Sequence, residues 1–200
     1  MKKRYTLEQK HWDDPVDHTM PEHARVPASF TVGGVKIAPA TVLAPMAGVT
    51  DTVFRRFIKN ASQFSGEAST TDVAEETSNQ QSGCGLIMTE FTSADGLSRI
   101  RETKRKRYLT YYDDEHPISA QLFGSNPETL AESARIVQDA GFDLVDLNLG
   151  CPAKRVVACN GGSGLLRDLP LIETIFKAVR AAVTIPFTVK IRMGWNDHHI

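Results

Sequence analysis

From residue 85 onward the chain alternates short, β-branched apolar runs with longer segments of helical periodicity, and that rhythm leaves few folds open. Residues 85–89 and 118–123 are apolar runs of strand length. Residues 127–140 carry Leu130, Ala134, Ile136 and Val137 at helical spacing, with Gly141 as a stop. A strand at 144–149, a helix at 169–183 and a strand at 187–191 continue the pattern. Strands and helices in turn, joined by short loops, imply parallel βαβ units. Upstream, two β-branched runs flank Gly33-Gly34, which predicts a hairpin leading into a strand at 42–46. Thr50-Asp51 then precedes Val53, Phe54, Phe57 and Ile58, an N-cap followed by helical apolar spacing.

Two architectures accommodate such units: an open doubly wound sheet and a (β/α)8 barrel. The length of 200 residues suits the open sheet, but no GxGxxG turn follows the first strand, which weakens a nucleotide-binding sheet of that kind. Polar and reactive residues instead sit at the C-terminal ends of several strands: Pro45-Met46, Glu90, Gln121, Asn148 with Cys151, and Lys190 with Arg192. Functional groups spread over many strand ends are the arrangement of a barrel's active face. The expected fold is therefore an α/β TIM barrel. A closed one takes ~250 residues, so this barrel is expected to be truncated after about the fifth strand. Residues 1–29, polar and proline-interrupted, read as an irregular extension, and 30–200 as the incomplete barrel domain. Residues 60–83, rich in Ser, Thr, Gln, Asn and Glu, read as a polar insertion with a marginal helix near 72–77.

The 23 basic and 24 acidic residues nearly cancel. That argues against nucleic-acid binding by the whole surface and leaves room for a local patch. Arg99, Arg101, Lys104, Arg105, Lys106 and Arg107 form one candidate, a run that either tracks RNA phosphates or is a solvated helix face. Cys84, Cys151 and Cys159 cannot pair completely and lack CxxC spacing, so neither a disulfide framework nor a metal site is expected. The charged start has no apolar stretch after it, and no segment approaches the ~20 apolar residues that span a bilayer. A cytoplasmic location, with no membrane partner, is the expectation.

Cys151 lies in Asp146-Leu147-Asn148-Leu149-Gly150-Cys151-Pro152-Ala153-Lys154, where a strand delivers Asn148 to its end and Gly150 permits a tight turn. An ordinary thiol, with a pKa of about 8.5, is protonated at neutral pH and can donate a proton; it can also act as a nucleophile. Cys84 and Cys159, without such surroundings, read as small buried hydrophobes. Lys190 alternates with apolar residues in a strand that a barrel would bury on both faces, and it shares a face with Arg192. Such cations suggest a bound anion or an electron-rich ring. Gln121 is either a core amide bonded to backbone or a ligand for a heterocycle edge. Asn160-Gly161-Gly162-Ser163-Gly164 lacks a Lys-Ser/Thr ending, so it is no P-loop and reads as a flexible lid or turn.

Four stretches, in order, resemble the bacterial tRNA-dihydrouridine synthases, near the DusB-like branch: Leu43 to Asp51 (LAPMAGVTD), Gln121 before Phe123-Gly124-Ser125, Asn148 to Lys154 (NLGCPAK), and Val189 to Trp195 (VKIRMGW). The resemblance implies an FMN on the barrel's C-terminal face, with NADPH as reductant and tRNA as substrate. It implies that Pro45, Met46 and Ala47 line the flavin ring, that Gln121 hydrogen-bonds it, and that Lys190 sets positive charge at its pyrimidine edge. Cys151 would protonate uracil C5, Asn148 would hold the uracil edge, and Arg192 would contact RNA. In that family the FMN phosphate site and a tRNA-gripping helical domain lie further along than these 200 residues. Two other readings stay open: a related FMN barrel acting on a free pyrimidine, of the dihydroorotate dehydrogenase kind, and an inactive fragment that binds RNA through 99–107.

Overall fold

The computed structural model describes residues 27–61 and 83–196. Nearly all of the expected N-terminal extension and of the 60–83 insertion lies outside them, including the marginal helix near 72–77. Five parallel strands form the main sheet in the order β3 (Val42–Leu43), β4 (Leu86–Met88), β6 (Ile118–Phe123), β7 (Leu144–Asn148) and β8 (Phe187–Lys190). A two-residue strand, β5 (Thr92–Ser93), continues past β4 along the far end of β6. Parallel neighbours in chain order, with a helical crossover at most steps, form part of a TIM-type (β/α)8 barrel, as expected.

The helices are α1 (Thr52–Ala61), α2 (Ala94–Arg99), α3 (Glu102–Leu109), α4 (Pro127–Asp139), α5 (Lys154–Ala158) and α6 (Leu169–Ala182). Local chemistry starts and stops the long ones. The Asn126 side-chain oxygen accepts from the Glu128 and Thr129 amides at 2.8 and 3.0 Å, Pro127 occupies the first turn, and Gly141, at φ +89°, ends α4. Asp168 caps α6 through Leu171 N at 3.0 Å. The buried faces of these helices, Leu130, Ala134 and Val137 on α4 and Ile172, Ile175 and Val179 on α6, share one core with Ile118, Ala120 and Leu122 of β6. Among the described residues no helix is long and apolar enough to cross a membrane.

The predicted hairpin forms from β1 (Phe30–Val32) and β2 (Val35–Ile37), turning on Gly33 and Gly34, both at positive φ. Ile37 is fully buried against Leu86 and Leu144, the first residues of β4 and β7. Gly33 lies so close to Pro186 that a Cβ there would come within 2.6 Å of its ring. The strand predicted at 42–46 is only two residues long, because the chain turns at once into the loop that precedes α1.

Behind that loop runs a buried ion pair. Arg55 on α1 meets Glu115 at 2.5 Å, with side chains 4% and 0% exposed. Its guanidinium also donates to the Thr50 and Thr110 carbonyls, each at 2.9 Å, and Glu115 accepts from the Tyr112 amide at 2.9 Å.

Candidate functional site

The register of β6, β7 and β8 sets three polar side chains in one row, Gln121 beside Asp146 beside Thr188, and puts Asn148 beside Lys190 one step further along. Alternation turns Ser119, Gln121, Asp146, Asn148 and Thr188 to the face opposite Ala120, Leu122, Val145 and Leu147. The polar set is linked. Thr188 Oγ1 donates to Asp146 Oδ1 and Gln121 Nε2 to Asp146 Oδ2, each at 2.6 Å. Asn148 Nδ2 donates to Gln121 Oε1 at 2.9 Å. Asn148 Oδ1 in turn accepts the Gly150 and Cys151 amides at 3.1 and 2.9 Å. Burial pushes the Asp146 carboxyl above the usual carboxylate range, while bonds from Thr188 and Gln121 and the charge of Lys190 pull it back.

Cys151 is held from its other side as well. Ser163 donates both its amide and its hydroxyl to the Cys151 carbonyl, each at 3.0 Å. The thiol sits half-buried at the C-terminal end of β7, two residues before Ala153 caps α5. The glycine loop is not a loose lid. Gly161, Gly162, Ser163 and Gly164 are buried, and 162–167 form a 3-10 helix packed against the cysteine turn. Glycines permit that approach. Gly162 has φ +55°, and a Cβ on it would sit 2.6 Å from the Cys151 carbonyl oxygen. Gly162→Ala should therefore displace the cysteine turn, lowering the melting temperature and quickening alkylation of Cys151; unchanged values for both would show that the turn tolerates the methyl group.

The loop after β3 forms a second wall. Val49 and Thr50 amides close onto the Met46 carbonyl, buried Thr50 accepts from the Met46 amide at 3.1 Å, and the Gly48 amide donates to the Glu90 carboxylate. This leaves Pro45 half-buried and Met46 and Ala47 exposed.

Other sequence expectations fare differently. Gln121 has no exposed surface; its carbonyl end is committed to Asn148 and its amide end to Asp146, so it backs Asn148 from beneath. Lys190 is exposed rather than buried, because β8 is the last strand of the sheet among the described residues and nothing flanks it there. Arg192 lies past the end of β8, exposed, on a cleft of about 720 Å³ whose walls include Leu166, Arg167, Leu169 and Trp195. Arg167 stacks over the Trp195 ring at 4.8 Å. Of the remaining cysteines Cys84 is buried as expected, whereas Cys159 is exposed at the end of short α5. Sequence reasoning passed over Asp146, although an acid alternating with Asn148 in a doubly covered strand is the same signal that drew attention to Lys190.

The family described as "Dihydrouridine synthase (Dus)" matches residues 42–200. The chain is 38% identical over 169 residues to a tRNA-dihydrouridine synthase B of Xanthomonas axonopodis pv. citri, covering 84% of this chain and 44% of that protein. It is 36% identical over 166 residues to a probable tRNA-dihydrouridine synthase of Rickettsia bellii, covering 83% and 44%. The chain thus spans less than half the length of these curated relatives. Among solved structures, a variant of NCR from Zymomonas mobilis superposes with a TM-score of 0.51 at 18% identity, over 86% of this chain and 59% of that one, a likeness of fold.

Proposed function

The chain belongs to the dihydrouridine synthase family, and on that premise we propose that it carries the catalytic face of an FMN-dependent, NADPH-linked oxidoreductase that reduces the C5–C6 bond of uridine in tRNA. The observation that carries this reading is the pinned turn of Cys151, fixed at its amide by Asn148 and at its carbonyl by Ser163. A general acid must be held in place relative to the atom it protonates, and this thiol is held by its own backbone from both sides.

The residues fit a flavin ring at this end of the sheet. Pro45, Met46 and Ala47 offer an apolar ledge with accessible backbone, and Lys190 offers an exposed cation. When bound, FMN reduced by NADPH supplies the hydride for uracil C6. Lys190 favours negative charge on the pyrimidine edge of the ring. Asn148 keeps one amide hydrogen for a carbonyl of the uracil, its other polar atoms being committed inside the protein. Cys151 delivers its proton to C5, quenching the enolate that hydride arrival leaves there. The target base must leave its stack to reach these groups. Arg167 and Arg192, beside Trp195, form a cationic and aromatic wall suited to the adjoining RNA. The domain division proposed is an extension over 1–29 and a barrel domain over 30–200. A tRNA substrate accords with a cytoplasmic location.

The test is to incubate the full-length protein with NADPH and unmodified tRNA and to quantify dihydrouridine. Formation of dihydrouridine is the expected result. Oxidation of free dihydroorotate with no RNA product would favour the free-pyrimidine reading, and a colourless protein that only binds RNA would overturn the enzyme.

The basic run adds a second test. Helix α3 exposes Lys104 and Lys106, while Arg105 is half-buried and lines a cleft beside Ile136 and Asp139 of α4. Neutralising Lys104 and Lys106 should weaken tRNA binding and flatten its salt dependence by roughly 1 unit of log–log slope per lost contact. An unaltered slope would make α3 an ordinary solvated helix.

A further inference from the structure

The hydrogen bonds around Asp146 all point one way. The Gly150 and Cys151 amides donate to Asn148, Asn148 donates to Gln121, Gln121 donates to Asp146, and Thr188 donates to Asp146 from the opposite side. Neither amide side chain has an orientation of its own, since turning one by half a rotation exchanges donor for acceptor at almost no steric cost. The direction has to be imposed from an end. At one end backbone amides can only donate; at the other stands a carboxylate that accepts at both oxygens and is 3% exposed. We infer that Asp146 is a positioning residue whose carboxylate sets the direction of this chain and thereby keeps the oxygen of Asn148 turned to the Cys151 loop. Were the chain reversed, Gln121 would present its oxygen to Asp146 and its amide to Asn148. Asn148 would then face the Gly150 and Cys151 amides with a third donor, and the cysteine turn would lose both of its bonds to β7.

This direction follows from geometry alone; only its value for proton delivery at Cys151 rests on the proposed function. The experiment therefore reads the turn and not the reaction, as amide hydrogen exchange at Gly150 and Cys151 in the full-length protein. Three near-isosteric variants relocate the acceptor. Gln121→Glu sets two carboxylates against each other. Their repulsion should push side chain 121 away from Asn148 Nδ2, release Asn148 from its fixed orientation and speed exchange at both amides roughly tenfold or more, the loss of one hydrogen bond. Asp146→Asn retains one acceptor oxygen and should do less. The double variant, Gln121→Glu with Asp146→Asn, moves the carboxylate one residue closer to Asn148. There Asn148 Nδ2 still finds an acceptor, and the amide introduced at position 146 donates to the carboxylate introduced at position 121. Protection should then return to within about threefold of wild type. Simple packing roles would instead make the two single effects add. If Gln121→Glu is insoluble, recovery of a folded protein in the double variant is the same result read by yield. Wild-type exchange in Gln121→Glu, or a double variant as defective as Gln121→Glu, overturns the inference. Normal exchange behaviour in a protein that makes no dihydrouridine would count against the functional reading alone.

Discussion

Cys151→Ala in the full-length protein should slow dihydrouridine formation by ~10²–10⁴, the usual worth of a positioned general acid. The variant should still bind FMN and accept reducing equivalents from NADPH, because the thiol is given no part in either step. Single-turnover reoxidation of the reduced protein by unmodified tRNA isolates the affected step. Cys151→Ser should recover little, since a hydroxyl is a far weaker acid than a thiol. Cys84→Ala and Cys159→Ala are the controls. Cys84 is buried near the start of β4 and Cys159 is exposed at the end of α5, so neither should alter the rate by more than a few-fold. A wild-type rate in Cys151→Ala would remove this residue from the chemistry, and a large loss in Cys159→Ala would move the role there.

The largest stability effect should come from Arg55→Leu. It strands Glu115, whose side chain is wholly buried, and leaves the Thr50 and Thr110 carbonyls short of a donor. Removing one member of a buried pair costs ~3–5 kcal/mol, a large fraction of a domain's net stability. Denaturant unfolding of full-length wild type and variant gives the difference directly. Adding Glu115→Leu to Arg55→Leu should recover part of the loss, because an apolar pair does not carry the desolvation cost of a lone carboxylate. A loss below ~1 kcal/mol would mean that water reaches Glu115 once the guanidinium is gone. The effect should extend beyond folding, since Thr50 both receives the Arg55 bond at its carbonyl and anchors Met46 through its hydroxyl.

Where the sequence carried both period and punctuation, the fold was legible. The run Ile118–Phe123 is a strand over its whole predicted length, and α4 begins at Pro127 with Asn126 as its cap. Helix α2 was hidden because Ala94 and Leu97 are its only buried side chains, and α3, with Leu109 alone buried, was legible only as one of two readings of its charged run, a solvated helix face. The glycine loop misled for a related reason: four small residues signal freedom in a sequence, yet here their lack of bulk lets buried backbone reach the Cys151 carbonyl. Lys190 was read from the rule that parallel strands are covered on both faces, which fails at the last strand of the described sheet. The grouping of candidate residues was legible from strand ends. Their hydrogen-bond order was not, because it depends on the register that sets Gln121 against Asp146.

The β1–β2 hairpin has a consequence for traffic. Its tip rests on Pro186, just before β8, and its Ile37 on the first residues of β4 and β7, so it bridges the curved sheet like a chord at the end remote from Cys151. It thereby gives the half-barrel a floor. With that end covered, the described half-barrel opens at the mouth on the side of Met46, Asn148 and Cys151 and along its uncovered β3 and β8 edges. In the proposed reaction a dinucleotide reductant and a tRNA would both approach the flavin through that mouth. The hairpin thereby denies both of them the opposite end of the strands, so that on the proposed reading they would share one face and take turns at it.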